Sequence, residues 1–175
     1  MTHHLAVMGN PIAHSLSPGI HYQFAAEAEI DISYEKILVP NGEFEQFAAE
    51  FFNGGGIGLN VTVPHKSAAF EFATDLSSDA AAVAAVNTLL RNPSGDIRGE
   101  NTDGIGLLND IERNLGWDIK DKRVLILGAG GAVQGVIPSL LRAAPNCIVL
   151  ANRTYERAEA LAAKQNDDRM LALPI

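Results

Sequence analysis

Apolar positions along the chain fall into two alternating periods, and these predict strands and helices in turn. Leu5-Ala6-Val7-Met8 reads as a short buried strand, closed by the turn signal Gly9-Asn10-Pro11. Apolar residues at Ile20, Phe24, Ala25 and Ala28 predict a helix, with Ser17 or a neighbour as its cap and Pro18 suited to its first position. Tyr34 to Val39 predicts a second strand. Glu43 to Phe52 predicts a helix with Phe44, Phe47, Phe51 and Phe52 on its apolar side, stopped by Asn53-Gly54-Gly55-Gly56. In Asn60-Val61-Thr62-Val63, Val61 and Val63 alternate with polar residues, as in a strand with one buried face. Pro64 ends its ladder just before His65 and Lys66. Ser67 to Phe72 and Ser77 to Ala85 read as helices. Val86 to Leu90 and Asp96 to Gly99 read as a hairpin turned by Asn92-Pro93-Ser94-Gly95.

A helix opens in Glu100-Asn101-Thr102-Asp103-Gly104-Ile105-Gly106 and runs to about Leu115, where Gly116 stops it. Trp117 to Lys122 reads as a hinge. Arg123 to Leu127 is an apolar run typical of a buried parallel strand. It enters Gly128-Ala129-Gly130-Gly131-Ala132, with a helix following from about Val133 to Ala143. The next strand is Ile148 to Ala151, and a further one starts at Met170-Leu171-Ala172-Leu173. The pattern predicts an α/β fold: an N-terminal α/β domain over residues 1–103, a connecting helix and hinge over 104–121, and a partial Rossmann-type domain over 122–175.

The composition is 47% hydrophobic and 19% charged, ordinary for a folded globular chain. The net charge of −8 argues against a nucleic-acid surface, which needs clustered Lys and Arg. The one cysteine, Cys147, cannot form an internal disulfide or a metal site, and its apolar run predicts a buried, inert thiol. His3 and His4 are without partner ligands in sequence and read as solvated, so no metal is expected. No window approaches the roughly 18 apolar residues of a membrane span. No leader is evident, and a cytoplasmic, reducing location fits.

Three stretches carry candidate chemistry. Ser15 and Ser17, two residues apart in an extended segment, would present two hydroxyls to one carboxylate; helix capping accounts for only one of them. Lys66 would be held by a strand yet able to reach a cleft, or would be a solvated strand-end lysine. Asp103 near a helix N-terminus is favoured as a carboxylate by the macrodipole, or simply caps that helix with Thr102. The glycine turn at 128–131 has the strand and helix flanks that let a pyrophosphate meet a helix N-terminus. Its third fingerprint position is Val133, so helix and strand should pack slightly more loosely. Past the next strand, Asn152-Arg153-Thr154 and Arg157 stand where an NAD site carries an acid. These groups suit a 2′-phosphate with no carboxylate to repel it, and they point to NADP; a solvated helix start is the alternative for the two arginines.

Taken together, the chain resembles the shikimate dehydrogenase family. The resemblance rests on Gly9-Asn10-Pro11-Ile12-Ala13-His14-Ser15-Leu16-Ser17-Pro18, Asn60-Val61-Thr62-Val63-Pro64-His65-Lys66, Ala85-Val86-Asn87-Thr88-Leu89, Asn101-Thr102-Asp103-Gly104, Gly128-Ala129-Gly130-Gly131-Ala132 and Asn152-Arg153-Thr154. It implies NADP-dependent, reversible reduction of 3-dehydroshikimate to shikimate in aromatic amino-acid biosynthesis. It also implies that Ser15 and Ser17 hold the substrate carboxylate and that Thr62, Asn87 and Asp103 bond the ring hydroxyls. Lys66 lies at the reacting carbon in this reading and forms the catalytic pair with Asp103. A relative that prefers quinate, and a non-catalytic shikimate-binding module, are the alternatives; the serine pair mildly favours shikimate.

Val133 and Gln134 depart from the small and basic residues the family often shows there. The cofactor domain offers two or three strands where a Rossmann sheet classically has six. A fragment or shortened copy is therefore expected, with an open partial sheet exposing apolar surface and self-association possible.

Overall fold

A computed structural model describes all 175 residues. The chain divides into two compact units, residues 1–101 and 102–175. The first unit is built on a six-stranded mixed sheet of order β2-β1-β3-β5-β6-β4. Its strands are β1 (His3–Gly9), β2 (Ile32–Leu38), β3 (Gly58–Val61), β4 (Asp75–Leu76), β5 (Thr88–Arg91) and β6 (Ile97–Glu100). Between them run α1 (Ser17–Glu27), α2 (Phe44–Asn53), α3 (Lys66–Phe72) and α4 (Ser78–Val83). β1 pairs parallel with β2 and β3, whereas β5 runs antiparallel to β3 and to β6. The expected hairpin is present, with Asn92 N–H bonded to Asp96 O at 2.8 Å across its turn. The two-residue β4 carries no periodic signal, being too short to show one. It pairs parallel with β6, whose Arg98 binds Asp75 at 2.7 Å.

The core of this unit joins β1, β3 and β5 to α2 and α3 through Met8, Leu59, Val61, Leu89, Phe44, Ala48, Phe52 and Ala69. α2 is amphipathic as expected, but only Phe44, Ala48 and Phe52 are fully buried; Phe47 and Phe51 flank them, half-buried. Ser77 caps α4 by accepting from Ala80 N–H at 3.2 Å. β1 starts at His3, two residues earlier than the apolar run, because pairing with Ile32 and Ser33 extends it. His3 and His4 are exposed on that extension.

Three local expectations are corrected. β3 stops at Val61. The backbone beyond it still bonds β1, Thr62 N–H to Met8 O and Val63 O to Asn10 N–H, both at 3.0 Å, but it leaves the pleat. Val63 is therefore 62% exposed instead of sharing the face of Val61. Ser15 and Ser17 lie in a turn, closed by Ser15 N–H to Ile12 O at 3.0 Å, and not in an extended segment. Ser17 is the first residue of α1, with Leu16 in the capping position and no side-chain cap, so Pro18 sits one place further in.

The second unit has a three-stranded parallel sheet, β7 (Arg123–Leu127), β8 (Cys147–Asn152) and β9 (Met170–Pro174), in that order. α6 (Gly131–Arg142) and α7 (Tyr155–Gln165) are the crossovers. Both pack on one face, over Val124, Ile126, Ile148, Leu150, Met170 and Ala172. The other face carries Leu125 beside Val149 and Leu171, with Leu127 beside Ala151 and Leu173. All four of these leucines are at least half exposed. Uncovered apolar surface was expected at an edge; the register puts it across a whole sheet face. Cys147 is half-buried on β8, not sequestered.

The helix expected to run to Leu115 is α5 (Asp103–Asn109), followed by a π-helical turn over Asp110–Asn114. Leu108 packs in the core of the second unit with Ile137 and Leu140. Asp103 and the segment expected as a connector therefore fall within residues 102–175. No helix is long and apolar enough to cross a membrane.

Candidate active site

In the first unit the candidate residues gather where three strands end or begin together. β1 and β3 run parallel, so their carboxyl ends lie side by side, and the antiparallel β5 begins at that same end with Asn60 opposite Thr88. In open α/β sheets ligands bind outside the carboxyl ends of the strands. Thr62 follows β3 there, with its N–H bonded to Met8 O on β1. Asn87 precedes β5, its backbone fixed on both sides: its carbonyl accepts from Val61 N–H at 2.8 Å and its N–H donates to Glu100 O at 3.0 Å. Gly9 makes the approach possible, since a Cβ there would lie 2.5 Å from Thr62 Cγ2.

Lys66 is the first residue of α3, and its carbonyl accepts from Val86 N–H at 2.9 Å. The strand-end placement is thus replaced by a turn (His65 N–H to Thr62 O, 3.0 Å) and a helix start. His65 beside it is buried, bonded through Nε2 to Val39 O at 3.0 Å and stacked on Phe44. It is a core residue. Asn101 is likewise buried, with Nδ2 donating to Ala85 O at 3.0 Å.

Ser15 and Ser17 face each other, Oγ to Oγ at 3.1 Å, and Ser15 Oγ also accepts from Ser17 N–H at 3.3 Å. One residue next to them carries no signal in the sequence beyond its place in a strand. Tyr34, on β2, donates its hydroxyl to Asn60 Oδ1 at 2.7 Å. Its ring stacks on His21 of α1 with centroids 4.5 Å apart. Burial pushes the Tyr34 phenol up to about 12, while a hydrogen bond from the Ser17 hydroxyl pulls the other way. The phenol therefore stays protonated and remains a donor throughout the neutral range.

In the second unit, Asp103 opens α5, and Thr102 ahead of it makes no side-chain cap. The glycine turn leaves β7 through Gly128 at φ +116°, a conformation that a side chain would strain, with Gly128 N–H held by Ala151 O at 2.8 Å. α6 starts at Gly131, two residues earlier than its apolar pattern. Built Cβ atoms at Gly128, Gly130 and Gly131 would meet nothing within 4 Å, so the backbone here is open to close approach. The first-turn amides of a 12-residue helix point into that space. A pyrophosphate fits this donor set.

Asn152 closes β8 and donates Nδ2 to Thr154 O at 2.7 Å, so it shapes the turn. Thr154 stands at the N-cap of α7 without a side-chain cap, and Arg157 lies in the first turn, its N–H bonded to Thr154 O at 3.1 Å. Arg153 and Arg157 are both exposed. Glu156 shares that turn. It corrects the expectation of a carboxylate-free site, although two arginines against one glutamate still leave the turn cationic. No cluster of side chains that could hold a metal ion is present.

A mixed α/β unit with polar groups at its strand ends, followed by a strand, glycine turn and helix, defines a two-domain α/β protein with a Rossmann-type mononucleotide unit. Residues 7–89 match the shikimate dehydrogenase substrate binding domain, and residues 110–175 match shikimate / quinate 5-dehydrogenase. The shikimate dehydrogenase (NADP(+)) of Halorhodospira halophila is 54% identical over 172 residues, covering 98% of this chain and 63% of the relative. Among solved structures, an Ael1 enzyme from Pseudomonas putida superposes with TM-score 0.90 at 41% identity, over 98% of this chain and 63% of that one. Shikimate 5-dehydrogenase from Thermus thermophilus, solved in complex with NADP(H) and shikimate, superposes with TM-score 0.87 at 34% identity over the same shares. The chain belongs to the shikimate dehydrogenase family. It spans somewhat under two thirds of the length of these relatives.

Proposed function

We propose that this chain serves the NADP-dependent, reversible reduction of 3-dehydroshikimate to shikimate, as a cytoplasmic protein acting on a small molecule and not on nucleic acid. The observation that carries the reading is the convergence of Ser15, Ser17, Thr62, Lys66 and Asn87 around the adjoining ends of β1, β3 and β5. Ser15 and Ser17 hold the substrate carboxylate through neutral donors, and Thr62 and Asn87 bond the ring hydroxyls. Lys66 acts at the reacting carbon, where its ammonium stabilises the oxygen that gains negative charge and supplies the proton. Asp103 is paired with it by the family resemblance, as a ring-hydroxyl contact and partner in the proton transfer. Bound NADP supplies or accepts the hydride.

The glycine turn with Ala129 and Ala132 would receive the pyrophosphate, and Arg153, Thr154 and Arg157 the 2′-phosphate, with Asn152 shaping their turn. Replacing both arginines (Arg153→Ala with Arg157→Ala) removes two charge-assisted contacts. NADP affinity should fall about 10- to 100-fold while NAD affinity changes little, as titration of each dinucleotide by calorimetry would read. Equal losses for both would mean that the arginines do not read the 2′-phosphate.

The direct test mixes the purified chain with shikimate and NADP and follows absorbance at the reduced-nicotinamide band, with the thermal unfolding midpoint measured alongside. Turnover, or a shikimate-dependent rise in the midpoint, supports the reading. The absence of both would overturn it.

A further inference from the structure

A single run of hydrogen bonds in the first unit links residues far apart in sequence. Ser15 Oγ donates to Ser17 Oγ at 3.1 Å, and Ser17 is joined to Tyr34 through His21, whose Nδ1 bonds Ser17 O at 2.9 Å and whose ring stacks on the Tyr34 ring with centroids 4.5 Å apart. Tyr34 donates to Asn60 Oδ1 at 2.7 Å, and Asn60 Nδ2 donates to Thr88 Oγ1 at 3.2 Å. Thr88 Oγ1 then donates to Asn87 Oδ1 at 3.0 Å. The run of hydrogen bonds passes from Tyr34 on β2 over β1 to β3 and β5. Tyr34 crosses β1 by lying against Val7 and Ile12. Val7 is itself level with Asn60, and Asn60 with Thr88, whereas Tyr34 is level with Leu5, so its side chain leans two positions along β1 to reach Asn60. From Tyr34 onward each link runs in the same direction, and the Thr88 hydroxyl accepts once and donates once. Such chains polarise along their length and fix the orientation of every member.

We propose that Tyr34, Asn60 and Thr88 are positioning residues that orient the Asn87 amide and, through the stacked His21, brace the start of α1 where Ser17 stands. The proposal rests on the substrate-holding roles given above. Thr88 accepts from Asn60 Nδ2 and donates to Asn87 Oδ1, and so helps to fix which end of the Asn87 amide is the acceptor. Because Tyr34 supplies the crossing, the loss of its phenolic oxygen releases Asn60 and, through Thr88, the Asn87 amide, while the ring still packs on His21, Val7 and Ile12.

The test compares Tyr34→Phe, Thr88→Val, their double variant and Thr88→Ser. Each single variant should weaken shikimate binding about 10-fold, the scale of one buried hydrogen bond, with NADP binding unchanged. The double variant should be about as weak as either single one, because both break the same run. Thr88→Ser, which keeps the hydroxyl, should bind within about twofold of the parent. Unchanged affinity, or a double variant weaker by the product of the single losses, overturns the proposal. A second readout needs no ligand: in Tyr34→Phe the side-chain amide resonances of Asn87 should shift in a nitrogen–proton correlation spectrum. Resonances that stay in place overturn the positioning role even if the parent binds no shikimate. Absence of shikimate binding by the parent, with the Asn87 resonances shifted, instead overturns the substrate assignment and leaves the network standing.

Discussion

Lys66→Met is expected to lower turnover by roughly 10³- to 10⁴-fold, the range for losing a proton donor together with a charge that stabilises the reacting oxygen. Methionine keeps much of the length and apolar stem, so packing changes little. The helix itself gives no reason for a lysine at this position. Lys66 is the first residue of α3, and a helix N-terminus disfavours a cation. What fixes the residue is the backbone around it, with Val86 N–H on its carbonyl and the turn from Thr62 to His65 before it. The unfolding midpoint should therefore stay close to that of the parent, and shikimate binding should weaken far less than turnover. The measurement is initial rate at the reduced-nicotinamide band, under saturating NADP and shikimate. A variant within about tenfold of the parent rate would remove Lys66 from the chemistry, since loss of such a group costs at least about 10²-fold.

The second large effect is on stability. Phe52→Ala should cost about 3 to 5 kcal/mol, as for other fully buried aromatic truncations. Phe52 is 2% exposed, lies parallel to Phe72 with centroids 6.2 Å apart and meets Phe51 edge-on at 5.4 Å. The Arg91 guanidinium sits 5.4 Å from its ring centroid. One side chain thus joins α2 to α3 and to the end of β5. Its removal leaves a cavity between elements that cannot all close on it, because α3 is also tied to the sheet through Lys66 and Val86. The urea midpoint by far-ultraviolet circular dichroism reads the loss. Turnover should fall with it, because α3 carries Lys66. A cost below about 1 kcal/mol would mean that the site collapses around the missing ring.

The order of elements was legible because burial imposes a period, and that period is local. α2 illustrates this with Phe44, Ala48 and Phe52 at helical spacing, and β7 with its run into a glycine turn. The motif residues were legible for another reason: resemblance singled out Ser15, Ser17, Thr62, Lys66, Asn87 and Asp103 without any geometry. Where local pattern misled, a distant partner had decided the outcome. Val63 alternates correctly in sequence, yet β3 ends at Val61 because the backbone turns out of the pleat after its bonds to β1. Lys66 reads as the end of a strand and is the start of a helix for the same reason.

By itself, then, the sequence determined the α/β class, the glycine turn between strand and helix, and the family, since all three are written in short contiguous stretches. Only the tertiary structure decided that Asp103 belongs with residues 102–175, that the apolar surface of the second unit lies across one sheet face, and that Tyr34 meets Asn60. The first two depend on which elements pack together, and the third on strand order and register between residues 26 positions apart. A hydrogen bond between strands has no period along the chain, so it leaves no local pattern to read.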